Sequence, residues 1–327
     1  MTITRRRFNA LAAASGLMPA IVSDRANALA WPTHPVRLIV PFAAGGPTDV
    51  IARIVGERLS RGWGQQVLIE NRPGGGTNIA NEMVVRSEPD GHTVLMGGSS
   101  QATTRGLYRS LSYDPISDFA PIAFLCSYSF FMFVPDSLPV KSVSEFIAYG
   151  KANPGKLTLA SPGTGSSPHL CGELFKHMAG LEMVHVPYRG AAPAMSDLIP
   201  GRVHLLFSGG ATLDNARSGQ VRVLGYTGAM RSAIAPEVPT IAEDGIPGFN
   251  VVSWYGLFVP AKTPPEIVSK MNGDVIAALA DQSVQGRLAP LGYETRPDAP
   301  EQVGAFLRTD AELWSRVIKQ AGLLPQD

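Results

Sequence analysis

Repeatedly along this chain a short apolar run meets a glycine-rich turn, and apolar residues at helical spacing follow. Val36–Pro41 is such a run; after it come Gly45 and Gly46, then Val50, Ile51, Ile54, Val55 and Leu59. A short run without alternation suits a strand buried on both faces, and a 3.6-residue recurrence suits a helix with one buried face. Gln66–Glu70 and Thr93–Met96 read as the next strands, with Arg72-Pro73-Gly74-Gly75-Gly76-Thr77 turning into a helix from Asn78 between them. Strands alternating with helices imply a parallel sheet joined by right-handed crossovers.

The same device restarts further on. Val143–Ala152 reads as a helix, and Leu157–Ala160 as a strand before the turn Ser161–His169. Met183–Pro187 is a strand before Tyr188-Arg189-Gly190-Ala191-Ala192-Pro193, and Val203–Phe207 and Val221–Tyr226 add two more. Between the two sets lies Phe119–Pro135, too long for one core strand, which we read as a strand crossing from one lobe into the other. Val252–Pro260 reads as the return crossing. Amphipathic helices at Ile267–Leu279 and Val303–Ile318 should then pack back on the first lobe. The expected architecture is α/β and two-lobed. Residues 29–127 with 254–327 form lobe 1, residues 128–253 form lobe 2, and the cleft is lined by loops at strand carboxyl ends.

The N-terminus has a different character. Thr4-Arg5-Arg6-Arg7-Phe8, an alanine-rich run from Ala10 to Val22 and the small-x-small triplet Ala26-Asn27-Ala28 match a twin-arginine export signal. The run is too short for a membrane span, so we expect a soluble, periplasmic mature chain from about Leu29, with residues 1–28 removed. The leader holds four arginines against Asp24, so of the formal net charge of +1 the remainder carries −2. Such a balance gives no nucleic-acid footprint. Any anion site must rest on local dipoles and a few side chains. Cys126 and Cys171 sit in apolar contexts, which favours two buried thiols over a disulfide.

Two loops stand out for chemistry. In Pro41-Phe42-Ala43-Ala44-Gly45-Gly46-Pro47-Thr48-Asp49, small residues let backbone amides approach a ligand and Pro47 suits a first helical turn. The amides and the helix dipole make an anion site without a basic side chain. Asp49 would meet a donor on the ligand or in the loop; alternatively it is a plain helix cap. Thr164-Gly165-Ser166-Ser167-Pro168-His169 places hydroxyls, amides and a histidine at another helix start, either a second anion grip or a capped turn. Thr77 and Asn78, Ser99, Ser100 and Gln101, and Tyr188 and Arg189 follow strand ends in the same way. Arg189 suits a charge-assisted pair with a carboxylate, or else is solvated. There is no G-x-S-x-G elbow, P-loop, dinucleotide fingerprint, H-E-x-x-H or C-x-x-C, so no cofactor and no metal are expected.

Several ordered words carry a resemblance. Val40–Asp49, Ile69-Glu70-Asn71-Arg72-Pro73-Gly74-Gly75, Tyr113-Asp114-Pro115 with Asp118-Phe119-Ala120-Pro121, Val186-Pro187-Tyr188-Arg189-Gly190, Pro239-Thr240-Ile241-Ala242-Glu243 and Trp254–Ala261 resemble the solute-binding receptors of tripartite tricarboxylate transporters, the Bug family. The resemblance implies a type II-like periplasmic binding fold that closes like a Venus flytrap on two crossing hinge strands. It implies a non-enzymatic receptor for a small carboxylate, gripped by Ala43–Asp49 and Thr164–His169 and delivered to membrane transporter subunits, with a monomer sufficient. The chain departs from the family pattern at Arg105, which adds charge near the cleft, and at His204 and Ser208, where acidic residues are common. A neutral Ser208 would favour a more anionic ligand. Two other readings share the scaffold: a sensing subunit for a membrane signalling partner, and an enzyme using His169, Asp49 and Ser166.

Overall fold

The computed structural model describes residues 31–320; the expected leader, residues 1–28, lies outside them. Strands β1 (Val36–Val40), β2 (Val67–Asn71) and β3 (Thr93–Gly98) alternate with helices α1 (Pro47–Trp63), α2 (Asn78–Val85) and α3 (Ser99–Leu107). β4 (Phe119–Ser129) then leads through Phe130 into β5 (Phe131–Pro135). The second half runs α4 (Val143–Ala152), β6 (Leu157–Ser161), α5 (Ser167–Ala179), β7 (Met183–Pro187), α6 (Ala191–Leu198), β8 (Leu205–Ser208), α7 (Leu213–Arg217) and β9 (Val221–Tyr226). The chain returns through β10 (Val252–Pro260) and ends in α8 (Pro265–Ala280), α9 (Gln282–Leu288), the short β11 (Glu294–Thr295) and α10 (Pro300–Gln320).

Two sheets result, and their cores are built alike. The first has the order β11-β4-β10-β3-β1-β2 and the second β7-β6-β8-β5-β9. In each, a parallel trio lies with its earliest strand in the middle, β2-β1-β3 or β7-β6-β8. In each, an antiparallel strand then pairs with the third member, β10 on β3 or β5 on β8. The parallel trios follow from βαβ crossovers. Of these partners β10 is the expected return strand, whereas β5 is only the second half of the expected first crossing: Phe119–Pro135 is not one strand but breaks at Phe130 into β4 in the first sheet and β5 in the second. One side of α1 (Ile51, Ile54, Val55, Leu59) is buried, and Gly56 lets the helix backbone lie against Ile69 and Val67 of β2. The carboxyl-terminal helices pack back on the first sheet, with α8 and α10 on β4 and α10 also on α3.

Both crossings are held by one residue. Phe130 N donates to Thr227 Oγ1 at 2.8 Å, and Thr227 N donates to Phe130 O at 2.9 Å. On its other side Thr227 Oγ1 donates to Val251 O at 2.8 Å, and Val251 N donates to Thr227 O at 2.9 Å. Thr227 is 0% exposed, so water replaces none of these bonds. Beside the clasp, Tyr128 stacks on Tyr255 with ring centres 4.8 Å apart, and the Phe130 and Tyr293 rings stand edge-on to Tyr128. Cys126 and Cys171 are free, buried thiols on different elements, β4 and α5.

Two outcomes follow. Thr227→Val keeps the shape but strands Phe130 N and Val251 O, so urea unfolding should show a loss of about 2–4 kcal/mol, with Thr227→Ser within about 1 kcal/mol of the parent. A valine variant of parental stability would show that the clasp contributes nothing. The second concerns Asp310 of α10, a buried carboxylate that accepts Trp254 Nε1 at 2.7 Å. Burial pushes its carboxyl up to about 6, against which the Trp254 bond acts only in part. The unfolded value is lower, so the folded chain holds an extra proton between the two, and the burden of the buried charge is absent below about pH 4 and complete above about pH 6. Asp310→Asn should therefore gain stability relative to the parent as pH rises from 4 to 7, by roughly 2 kcal/mol, in parallel melts across that range.

Candidate functional site

The carboxyl ends of β1, β3, β6, β7 and β8 face one another across the crossing strands, as open α/β sheets require of a ligand site. A cavity lies there. Its walls are Phe42, Gly46, Pro47 and Thr48 from the first loop, Ser100 from α3, Pro162 just before the second loop and Pro168 within it, and Ala191 from α6. Ser208 and Gly209 at the end of β8, with Tyr128, Phe130 and Tyr255 from the crossings, complete it. A smaller adjoining cavity shares Phe42, Ser100 and Tyr255 and adds Thr77, Asn81, Ser99, Gln101, Ser167 and Trp254 among its walls.

Four helices begin at these walls: α1 at Pro47, α3 at Ser99, α5 at Ser167 and α6 at Ala191. First-turn amides have no partner within their own helix, and each helix start carries roughly half a positive charge. Among the described residues, none that lines either cavity is formally charged. The field in the cleft is therefore positive yet contains no cation.

The first loop is braced from behind. Asp49 is 3% exposed and accepts Gly45 N at 3.0 Å, Asn71 Nδ2 at 3.0 Å and Arg53 Nε and Nη2 at 2.9 and 3.0 Å. Burial opposes its ionisation, but the bonds from Arg53, Gly45 and Asn71 outweigh it and hold the carboxyl below its ordinary range. Of the roles the sequence left open, the one seen is the bond to a loop amide. Asp49 lines neither cavity.

The second loop is braced in the same manner. Ser166 Oγ donates to Gly163 O at 2.7 Å and caps α5 by accepting His169 N. His169 Nδ1 accepts Gly165 N at 3.2 Å, so Nε2 carries the proton and faces Glu173 Oε1 at 3.6 Å. Glu173 is held in turn by Lys176. Burial works against the Glu173 charge, yet His169 and Lys176 bring its carboxyl down to about 2. The His169 ring stacks on His185, whose Nε2 lies 2.6 Å from Ser161 Oγ. Burial, aided by His169, lowers His185 to about 3, so it is neutral at working pH. The side chains of His169, Ser166 and Asp49 thus make no bond to one another of the kind a nucleophile and its base make; Ser166 Oγ meets His169 only at its main-chain N.

The remaining candidates divide clearly. Phe42, Pro47, Thr48, Ser100 and Ser208 line the main cavity; Phe42, Thr77, Ser99, Ser100 and Gln101 line the smaller one. Ala43, Ala44, Thr164, Gly165, Ser166 and His169 belong to the loops without lining either. Asn78 Oδ1 is taken by Tyr113, Tyr188 donates its hydroxyl to Asp197, and the Arg189 side chain is exposed. Arg105 is exposed and pairs with Asp114, and His204 Nδ1 accepts Thr158 N, so neither lines the cleft. Sequence reasoning missed Tyr128, Phe130 and Tyr255 as cavity walls. The signal was present, because a strand that crosses between lobes must pass the cleft.

Two wall residues hold buried polar atoms with no partner. Ser208, 2% exposed, leaves its Oγ unbonded. Gln101 donates Nε2 to Pro115 O at 2.6 Å, which fixes the amide, and its Oε1 remains unpaired against Gly97. Thr48 Oγ1, by contrast, is 2.8 Å from the Tyr255 hydroxyl.

The lobes touch on both sides of the cavity. Ala43 N donates to Arg189 O at 2.8 Å, and Gly190 lies so close that a Cβ there would sit 2.9 Å from Ala43 Cβ. Thr103 Oγ1 reaches across to Gly165 O at 2.7 Å. This is a closed arrangement.

Two α/β lobes, two crossings and a cleft ringed by helix starts define a solute-binding receptor of the periplasmic binding fold. The chain is similar to the periplasmic binding protein BugD (33% identity, TM-score 0.88, 90% of this chain and all of that one). It is similar to Rpa4515 of R. palustris with adipate (38%, 0.87, 90% and 100%) and to MatC from Rhodopseudomonas palustris with bound malate (33%, 0.84, 88% and 100%). The profile of the tripartite tricarboxylate transporter family receptor matches residues 51–323, and the chain belongs to that family.

Thr103→Val removes a cross-lobe bond while leaving the cavity walls intact. The variant should populate open forms more, giving a larger radius of gyration by X-ray scattering without ligand. An unchanged radius would show that Thr103 does not hold the lobes together.

Proposed function

We propose that the chain captures a small organic acid in the periplasm and presents it to the membrane subunits of a tripartite transporter, without chemical turnover. The carboxylate sits between the Ala43–Asp49 and Thr164–His169 loops, met by first-turn amides and by the hydroxyls of Thr48, Ser100 and Ser208. The observation that carries this reading is the convergence of four helix starts on one cavity whose described walls hold no charge. Such a field favours an anion and leaves its oxygens to amides. Adipate and malate, bound by the two similar receptors, are both carboxylates. The twin-arginine pattern supports export with loss of residues 1–28. The partners taken by His169, Ser166 and Asp49 support binding without catalysis.

The physics of capture is differential affinity. With the lobes, residues 29–127 with 254–327 and residues 128–253, apart, each half-site faces water. An acid that bonds to both loops stabilises the closed form by the difference. Closure removes water, and the bonds to the carboxylate strengthen in the drier cleft.

Thermal melts of the exported chain with small carboxylates and their uncharged amides test the reading. A ligand at 100 times its Kd adds about 2.7 kcal/mol of stability. Carboxylates should raise Tm and amides should not, and Ser208→Ala should weaken the best acid about tenfold by removing a buried donor. Equal shifts by acids and amides would remove the anion site.

A further inference from the structure

The unpaired Oε1 of Gln101 sets a condition on the ligand beyond its carboxylate. Gln101 is 2% exposed and lines the smaller cavity, which shares Phe42, Ser100 and Tyr255 with the main one. Its Nε2 is committed to Pro115 O, so the amide cannot turn, and Oε1 presents an acceptor with no donor. Gly97 lets Oε1 lie where it does: a Cβ there would stand 2.3 Å from it. A buried acceptor left unpaired is costly, and what relieves it must be a donor. A carboxylate oxygen placed there would add repulsion.

We infer that the acid carries a hydroxyl on its body, donated to Gln101 Oε1, so that the ligand class is a hydroxycarboxylate. The inference rests on the carboxylate reading above. Two donors were open, a hydroxyl and an ammonium. The ammonium is disfavoured by the same feature that favours the carboxylate: helix starts α1, α3, α5 and α6 all turn positive ends to the cleft. No carboxylate side chain among the described wall residues offsets them. Asp49, the nearest acid in sequence, has its oxygens filled by Arg53, Gly45 and Asn71. A neutral donor meets the acceptor without opposing that field.

The test uses matched sets that differ only in hydrogen, hydroxyl or ammonium at one carbon: propanoate, lactate and alanine; succinate, malate and aspartate; glutarate, 2-hydroxyglutarate and glutamate. Calorimetric titration of the exported chain should find one set in which the hydroxy acid binds at least tenfold tighter than both relatives. In Gln101→Met that preference should fall to within threefold, and because it is a ratio within one protein it is insensitive to a general loss of stability. If acids bind and the hydroxy member has no advantage, the inference falls and the carboxylate reading stands. An amino acid binding tightest, or a preference that survives Gln101→Met, also overturns the inference. If the uncharged amides bind as well as the acids, or none of the acids binds, the carboxylate reading falls and takes the inference with it.

Discussion

Everything in this molecule hangs on the two places where the chain passes from one sheet to the other, at Phe130 and at Val251, and on the buried threonine between them. Thr227 answers to Phe130 on one side and Val251 on the other. The two passages therefore behave as one joint. With the joint in place, the equivalent parallel trios of the two sheets turn their carboxyl ends toward the same space. The cleft is a consequence of that geometry.

The cleft divides labour between main chain and side chain. Its field comes from helix starts, which need no side chain of a given charge. The charged and titratable groups stand one layer back, where Asp49 braces the first loop and the His169–Glu173–Lys176 chain braces the second. Their bonds fix where the amides point. In this arrangement the charged groups behind the loops set shape, and uncharged residues meet the cavity.

Most of the architecture was legible in the sequence because apolar runs and glycine turns alternate so regularly. The strands β1, β2, β5, β6, β7, β9 and β10 lie where those runs do. The helix α3 was not legible. Its sequence, Ser99–Leu107, has no apolar stripe, yet Ser99, Gln101, Thr103 and Thr104 are buried. They are accommodated because Thr104 returns its hydroxyl to Ser100 O, Thr103 gives its own to Gly165 O, and α10 covers the helix. Burial of that kind is decided by a helix two hundred residues away. The same limit applied to Asp49: an arginine four residues on was readable as a partner, but the approach of Asn71 from the neighbouring strand was not. Tyr128, Phe130 and Tyr255 were readable as strand residues and became walls through the crossing alone.

The bond from Ala43 N to Arg189 O joins two main-chain atoms. Any residue but proline supplies the donor, and every residue supplies the acceptor. Only Gly190, which must lack a Cβ for the approach, constrains the side chains at this contact, so the atoms that shut the lobes are not the atoms that choose the solute.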